Sequence, residues 1–381
     1  MNDDILHRGP IADVSLAGHD DYPREMGDLL TEVARRGGSD LHIAVGRRPT
    51  MRHNGMLVEL EGPVVQPKHS RSLVMSIMNE EHSEALEREW EVDFAYSIPG
   101  VARYRINAYW QRGSIGAACR FLPPAAGSFA ELGLPPAIEE LALRPRGLTL
   151  VTGPTGSGKT TTLASVVDYI NTNRSLHVMT VEDPIEYLHE HKKSMVNQRE
   201  VGSDTHGFEQ ALRHVLREDP DVILIGEMRD LPTIRAVLTA AETGHLVYAT
   251  LHTQDAAQTI DRIVDVFPPS QQQQVRVQLA GSLNAILSQQ LVPTLDGSGR
   301  VLATEVLIAT PAVRNLIRES KTHQLATVMQ TGRIHGMQTM DESLADKYRQ
   351  GLISYDVALA QAVDPAVLRT LIEPADGRAG G

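Results

Sequence analysis

The chain has 381 residues, of which 41% are hydrophobic and 4% aromatic, and a formal net charge of −12. That length allows two domains with a sizeable core in each, and the acidic balance argues against a nucleic-acid binder. A single cysteine, Cys119, excludes an internal disulfide framework and a cysteine-rich zinc site and suits a reducing cytosol.

Residues 1–23 are polar and Asp-rich and show no periodicity, which reads as a flexible acidic tail. Met1-Asn2-Asp3-Asp4 is acidic where a signal peptide is basic. No segment approaches the roughly 18 apolar residues that span a bilayer, so any membrane contact is expected through a partner. A first domain is expected over residues 24–122. Met26, Leu29, Leu30 and Val33 sit at helical spacing, and Gly37-Gly38 offers a stop. Ser39 to Ile43 alternates like a strand, His53-Asn54-Gly55 reads as a hairpin turn, and one helix is expected from about Lys68 to Glu89.

Val101 to Trp110 alternates with period two. Ala102, Tyr104, Ile106 and Ala108 share one face, and Arg103, Arg105 and Asn107 share the other. Arg112 follows in the turn, and Arg120 ends the next strand. Two readings stand side by side. The arginines form a solvated sheet face, or one of them reaches a γ-phosphate held by a neighbouring subunit.

Pro123-Pro124 and Pro135-Pro136 break regular structure, which places an interdomain linker at residues 123–145. The second domain, residues 146–370, alternates strand-like and helical segments and predicts an α/β fold with a parallel sheet. Residues 371–381 read as a flexible C-terminal tail. Within the second domain, Gly147 to Val151 suits a buried strand and Thr160 to Ile170 a helix. Between them lies Gly153-Pro154-Thr155-Gly156-Ser157-Gly158-Lys159-Thr160, the G-x-x-x-x-G-K-T pattern of a phosphate loop, followed by Thr161. Glycines let several backbone N–H groups point at one polyphosphate. Lys159 is expected on the β- and γ-phosphates of ATP, and Thr160 as a ligand of Mg²⁺.

Val178 to Glu186 reads as a strand that Pro184 stops, leaving Glu182, Asp183 and Glu186 at its carboxyl end. Asp221 to Glu227 is a second buried strand ending in an acid, with Gly226 where many P-loop enzymes carry a metal-binding aspartate. Glu186 and Glu227 are the candidates for positioning or deprotonating the attacking water. The other reading of either acid is a helix cap or a salt bridge, for example with Arg229. Thr243 to Thr253 holds a third strand bracketed by histidines. His252 falls at the ligand edge as a candidate γ-phosphate sensor, and His245 is expected to make a structural or inter-subunit contact. Neither has zinc-site spacing. Ser270 and Gln273 fit a capping box for the next helix. Ala312 to Glu319 reads as an amphipathic helix with Val313, Leu316 and Ile317 inward and Arg314 and Arg318 outward.

Together these motifs resemble the retraction ATPases of type IV pili, within the larger secretion ATPase superfamily. The resemblance covers nearly all of residues 24–370. Glu182 to Glu186 is similar to the family's Asp box, Gly226 to Asp230 to its Walker B, and Thr243 to His245 with Leu251 to Thr253 to its His box. Ser39 to His42 resembles the start of its N-terminal domain. Ala312 to Glu319 resembles its A-I-R-N-L-I-R-E motif, differing only by Val313, and the family implies a role in retraction for it. The resemblance implies a RecA-like P-loop ATPase domain with a smaller α+β, PAS-like N-terminal domain. It also implies a homohexamer whose sites combine one subunit's second domain with a neighbour's first, making Arg103, Arg112 and Arg120 candidates for contacts in trans. Hydrolysis of ATP would drive pilus retraction and twitching motility. The expected partner is an inner-membrane platform protein of the pilus, with the ring at the cytoplasmic face of the membrane and no nucleic acid involved. An accessory retraction paralogue, a secretion-system ATPase and a nucleotide-binding switch module are the competing readings.

Overall fold

The computed structural model describes residues 22–122 and 126–372. The chain divides into two compact units, residues 1–122 and 123–381.

The first unit contains α1 (Met26–Arg35), β1 (Asp40–Ile43), β2 (Thr50–His53) and β3 (Met56–Glu59). It continues with α2 (Pro67–Met75), α3 (Glu80–Glu89), β4 (Glu91–Ile98), β5 (Ala102–Gln111) and β6 (Ser114–Leu122). The strands form one antiparallel sheet in the order β3-β2-β1-β6-β5-β4. One face is apolar. Leu41, Ile43, Met51, Tyr104, Ile106, Ala108 and Cys119 are buried there with Met26, Leu29, Leu30 and Val33 of α1. Asn54 and Gly55 both take positive φ in the β2–β3 turn, which suits the right-handed twist of a tight hairpin. The single helix expected over residues 68–89 is two. Asn79 accepts a hydrogen bond from the backbone N–H of His82 at 2.8 Å and so starts α3 afresh. A cap of this kind competes with helix continuation, and it overrode the periodicity.

The second unit opens with α4 (Phe129–Leu132), α5 (Ala137–Ala142), β7 (Gly147–Thr152), α6 (Lys159–Asn173), β8 (His177–Glu182) and β9 (Met195–Glu200). Then come α7 (Phe208–Val215), β10 (Val222–Ile225), α8 (Leu231–Glu242), β11 (Leu246–Leu251), α9 (Ala256–Asp265) and α10 (Pro269–Ser282). The chain continues through β12 (Leu283–Pro293), β13 (Arg300–Ile308), α11 (Pro311–Arg318), α12 (Leu325–Thr331), α13 (Met340–Arg349), α14 (Tyr355–Gln361) and α15 (Pro365–Ile372). Seven strands form a sheet in the order β13-β12-β7-β11-β10-β8-β9, parallel except for β13 at its edge. β7, β10 and β11 are buried at every position, as strands covered on both faces must be. This is the expected RecA-like α/β domain, and the first unit is the smaller α+β, PAS-like one.

Part of the segment expected as a linker is core. Phe129, Leu134, Ile138, Leu141 and Ala142 are buried against the second unit's sheet, and residues 123–125 lie outside the described residues. The prolines there start and space short helices instead of keeping the chain extended. The expected capping box at Ser270 is absent: α10 begins at Pro269, so Ser270 lies inside its first turn. Arg314 does not point outward. Its guanidinium donates to the carbonyl oxygens of Ala309, Ala280, Gly281 and Leu283, satisfying the end of α10. Its periodicity marked the outer face correctly, but a long side chain can fold back to reach unsatisfied carbonyls.

Glu305 on β13 is buried, and one of its oxygens accepts the backbone N–H of Ala256 at the start of α9 at 2.8 Å. The N–H of Met340, at the start of α13, also points to it. Burial, aided by the charges of Asp255 and Asp341, pushes the Glu305 carboxyl up to about 7 against the pull of those N–H groups. No helix among the described residues is long and apolar enough to cross a membrane.

Candidate active site

The carboxyl ends of β7, β11, β10 and β8 lie side by side. Thr152 pairs with Leu251, and Ile225 with both Ala249 and Val181. The phosphate loop, His252, Gly226-Glu227 and Asp183 therefore leave the sheet at one edge, where ligands bind open α/β sheets.

Gly153 has φ +141, and a Cβ there would come within 2.3 Å of the Gln289 carbonyl oxygen. Glycine is required on both counts. Gln289, fully buried on β12, donates from Nε2 to the Ser157 carbonyl at 2.7 Å and so braces the loop from below. The Ser157 hydroxyl and the Gln289 Oε1 are buried without a hydrogen-bond partner among the described residues. Lys159 Nζ donates to the carbonyls of Gly153 at 2.8 Å and Pro154 at 3.1 Å, folding the ammonium over the loop. Burial lowers its pKa, against the opposing charge of Glu227. Thr160 follows, half-buried, in the first turn of α6. The Thr161 hydroxyl lies 2.9 Å from that of Tyr187, joining this turn to the acidic segment after β8.

In that segment Glu182 is buried and accepts from Thr180 at 2.6 Å and Gln198 at 3.0 Å; burial raises its pKa. Glu200 on β9 accepts the backbone N–H of Ile185 at 3.0 Å. These contacts hold the backbone next to Glu186. The Glu186 carboxylate itself has no hydrogen-bond or ion-pair partner among the described residues.

Gly226 donates its N–H to Val181 at 2.8 Å, and a Cβ would stand 3.3 Å from both the Val181 oxygen and the Glu182 Cα. A side chain there would require the ends of β8 and β10 to move apart by a few tenths of an ångström, which favours glycine over an aspartate. Glu227 is held from two sides, with Arg229 at 2.7 Å on one oxygen and His252 Nε2 at 3.0 Å on the other. Burial raises its pKa, but the Arg229 hydrogen bond and the neighbouring charges of His252 and Arg229 outweigh it and leave the carboxyl below its ordinary range. The salt-bridge reading of Glu227 is thus real and coexists with a place at the site. His245 lies at the opposite end of β11, six strand residues or roughly 20 Å away, with Nδ1 3.0 Å from the Ala240 carbonyl.

The first unit presents its arginines differently. Arg120 binds Asp40 at 3.0 Å, Arg105 lies 3.8 Å from Asp93, and Arg103 donates to Ser97 at 3.0 Å. Arg112, at the tip of the β5–β6 hairpin with φ +51, has no such partner among the described residues. Sequence reasoning missed Gln289, Tyr187, Gln198 and Glu200. Only Tyr187, which follows Glu186, lies next to a motif, and none carries a local signal of its own.

Comparison with known proteins agrees with this geometry. The family described as "Type II/IV secretion system protein" matches residues 17–372. A Pseudomonas aeruginosa protein named "Type IV pilus retractation ATPase PilT" is 49% identical over 338 residues, 89% of this chain and 98% of that protein. The "Type IV pilus ATPase PilU" of the same organism is 42% identical over 349 residues, 92% of this chain and 91% of that protein. The crystal structure of the pilus retraction motor PilT with bound ADP superposes with a TM-score of 0.86 at 49% identity, covering 91% of this chain and 99% of that one. The chain belongs to the family of type II/IV secretion system proteins.

Proposed function

We propose that the chain is a mechanochemical ATPase that, as a homohexamer, couples hydrolysis of ATP to retraction of a type IV pilus. The observation that carries the catalytic part is the Glu227 carboxylate. Its pKa is held below the ordinary range, it is bonded to Arg229 and His252, and it lies within electrostatic reach of Lys159 beside a loop of the phosphate-binding kind. The similarity to the PilT and PilU proteins of Pseudomonas aeruginosa supports the pilus role.

Residues 153–161 bind the triphosphate through loop N–H groups and the start of α6, and Lys159 exchanges its carbonyl partners for β- and γ-phosphate oxygens. The donor set suits Mg²⁺, which keeps several waters and accepts few protein ligands. Thr160 supplies a hydroxyl, and Gly226 supplies no side chain. Held by Thr160 and the phosphates, Mg²⁺ would neutralise phosphate charge. Glu227 orients a water toward the γ-phosphorus. The water oxygen bonds to phosphorus, the bond to the β–γ bridging oxygen breaks, ADP leaves, and the water's proton passes to a carboxylate. A carboxyl held low positions water better than it stores a proton, so the unpaired Glu186 is the complementary acceptor. His252 senses the γ-phosphate through its bond to Glu227, and Arg112 of a neighbouring subunit, with Arg103 and Arg120 as alternatives, reaches it in trans. The ring acts at the cytoplasmic face of the inner membrane on a platform protein of the pilus.

Glu227→Gln is expected to lower kcat at least about 100-fold while leaving nucleotide binding intact. Lys159→Ala is expected to abolish binding itself. Steady-state hydrolysis and equilibrium binding of a fluorescent ATP analogue separate the two. Wild-type turnover in Glu227→Gln would remove that residue from the mechanism.

A further inference from the structure

The first unit carries a cavity of about 410 Å³ lined by Glu87, Trp90, Trp110, Gln111, Arg112 and Gly113. Both tryptophans of the chain are in it. Trp90 is 72% exposed and takes φ +70 at the end of α3, a conformation unusual for a bulky side chain. The Trp110 backbone N–H donates to the Trp90 carbonyl at 2.9 Å, and the Trp110 indole nitrogen is buried with no hydrogen-bond partner among the described residues. The Arg71 guanidinium lies 5.9 Å over the Trp110 ring and pairs with Glu87 at 2.7 Å. That leaves Arg112 as the cation of the cavity wall without a partner among the described residues. Two indoles, one of them largely exposed, beside the Arg112 guanidinium suit an occupant with aliphatic bulk next to a carboxylate.

We propose that this occupant is the chain's own acidic N-terminal segment, residues 2–21. The segment has five aspartates against one arginine, and it sets carboxylates beside aliphatic residues at Asp4-Ile5-Leu6 and Asp13-Val14. Its point of departure lies against α2. Tyr22, the first described residue, packs edge-on against His69 at 5.6 Å, and His69 sits on α2, the helix that also carries Arg71. From Tyr22 back to Asp13 an extended chain spans roughly 30 Å. Tethering gives an effective concentration on the order of 1 mM, so a segment whose free peptide binds at about 100 µM occupies its own cavity about nine-tenths of the time.

The two tryptophans make the test direct, because all indole fluorescence of the chain comes from this cavity. The full chain and a chain lacking residues 2–21 are compared for emission maximum and acrylamide quenching over a range of protein concentrations. The expected result is red-shifted, more easily quenched emission in the shortened chain. A peptide of residues 2–21 reverses it saturably at about 100 µM or below, less tightly at high salt. A peptide with Asp3, Asp4 and Asp13 replaced by Asn fails to do so, and Arg112→Ala in the shortened chain weakens the response. Identical spectra in the two chains, with no response to peptide up to about 1 mM, would overturn the proposal. Emission that tracks protein concentration regardless of the deletion would also overturn it, assigning the cavity to a second copy of the chain.

Discussion

Glu305 shows how one buried carboxylate links stability to pH. An ordinary glutamate releases its proton near 4.5, whereas burial in the fold holds this one up to about 7. Between those values the folded chain binds a proton that the unfolded chain does not, so this group's contribution to stability falls as pH rises through the window. Glu305→Gln removes the titration. From pH 5 to pH 8 the unfolding free energy of the variant is expected to gain on wild type by on the order of 3 kcal/mol, read from urea melts at each pH. Glu227 has the opposite sign. Its carboxyl is held low, so the stabilisation from its pairing is present at neutral pH and lost only on acidification through that lowered pKa. The placement of the phosphate loop, Glu227 and His252 at one edge of the sheet was legible because each stands within a few positions of a strand end or a glycine pattern. Gln289 was not. Its role rests on β12 lying beside β7, a pairing made more than a hundred residues along the chain, and no local pattern encodes it.

Elements followed periodicity where burial decided them and departed from it where a single polar group did. The alternation in β5 and the stripe in α1 appear in the structure face for face. The division of α2 from α3 turns on the Asn79 side chain, and the start of α10 on Pro269. α11 makes the same point. Of its apolar stripe, Val313 and Ile317 are buried as read and Leu316 is half-buried against the core, while Arg314 is taken inward by carbonyls at the end of α10 and the start of β12. Arg314→Ala leaves several of those carbonyls without a donor and is expected to lower stability by about 3 kcal/mol. Arg318→Ala, on the exposed side, is expected to stay within about 0.5 kcal/mol. Thermal melts of both variants, run beside Arg314→Lys, check the contrast. Comparable losses at the two positions would mean that the carbonyl contacts contribute little. A functional defect in an Arg314 variant is therefore to be read against its folding before any role in signalling is assigned.

At the scale of the whole molecule the two units differ in what they offer. The second assembles nearly all the groups that contact a nucleotide in the proposed reaction, whereas the first presents arginines and an aromatic cavity but no phosphate loop. If sites are completed by neighbouring copies, hydrolysis per subunit with saturating Mg²⁺ rises with protein concentration and then reaches a plateau. A rate that stays constant while sizing shows monomers would remove the neighbour from the mechanism. The two-unit organisation was legible from composition and motifs. The early helices of the second unit were not, because Phe129 and Ile138 are buried by partners far along the chain. The Arg314 junction has a mechanical side as well. A planar group bonded to several carbonyls at once gives way only when those bonds fail together, so α11, the end of α10 and the start of β12 behave as a riveted joint with little slack. β12 runs beside the phosphate-loop strand, and its Gln289 touches the loop. In the proposed motor, a pull on α11 would strain the backbone around Ser157, so that load and nucleotide occupancy would share one stiff path.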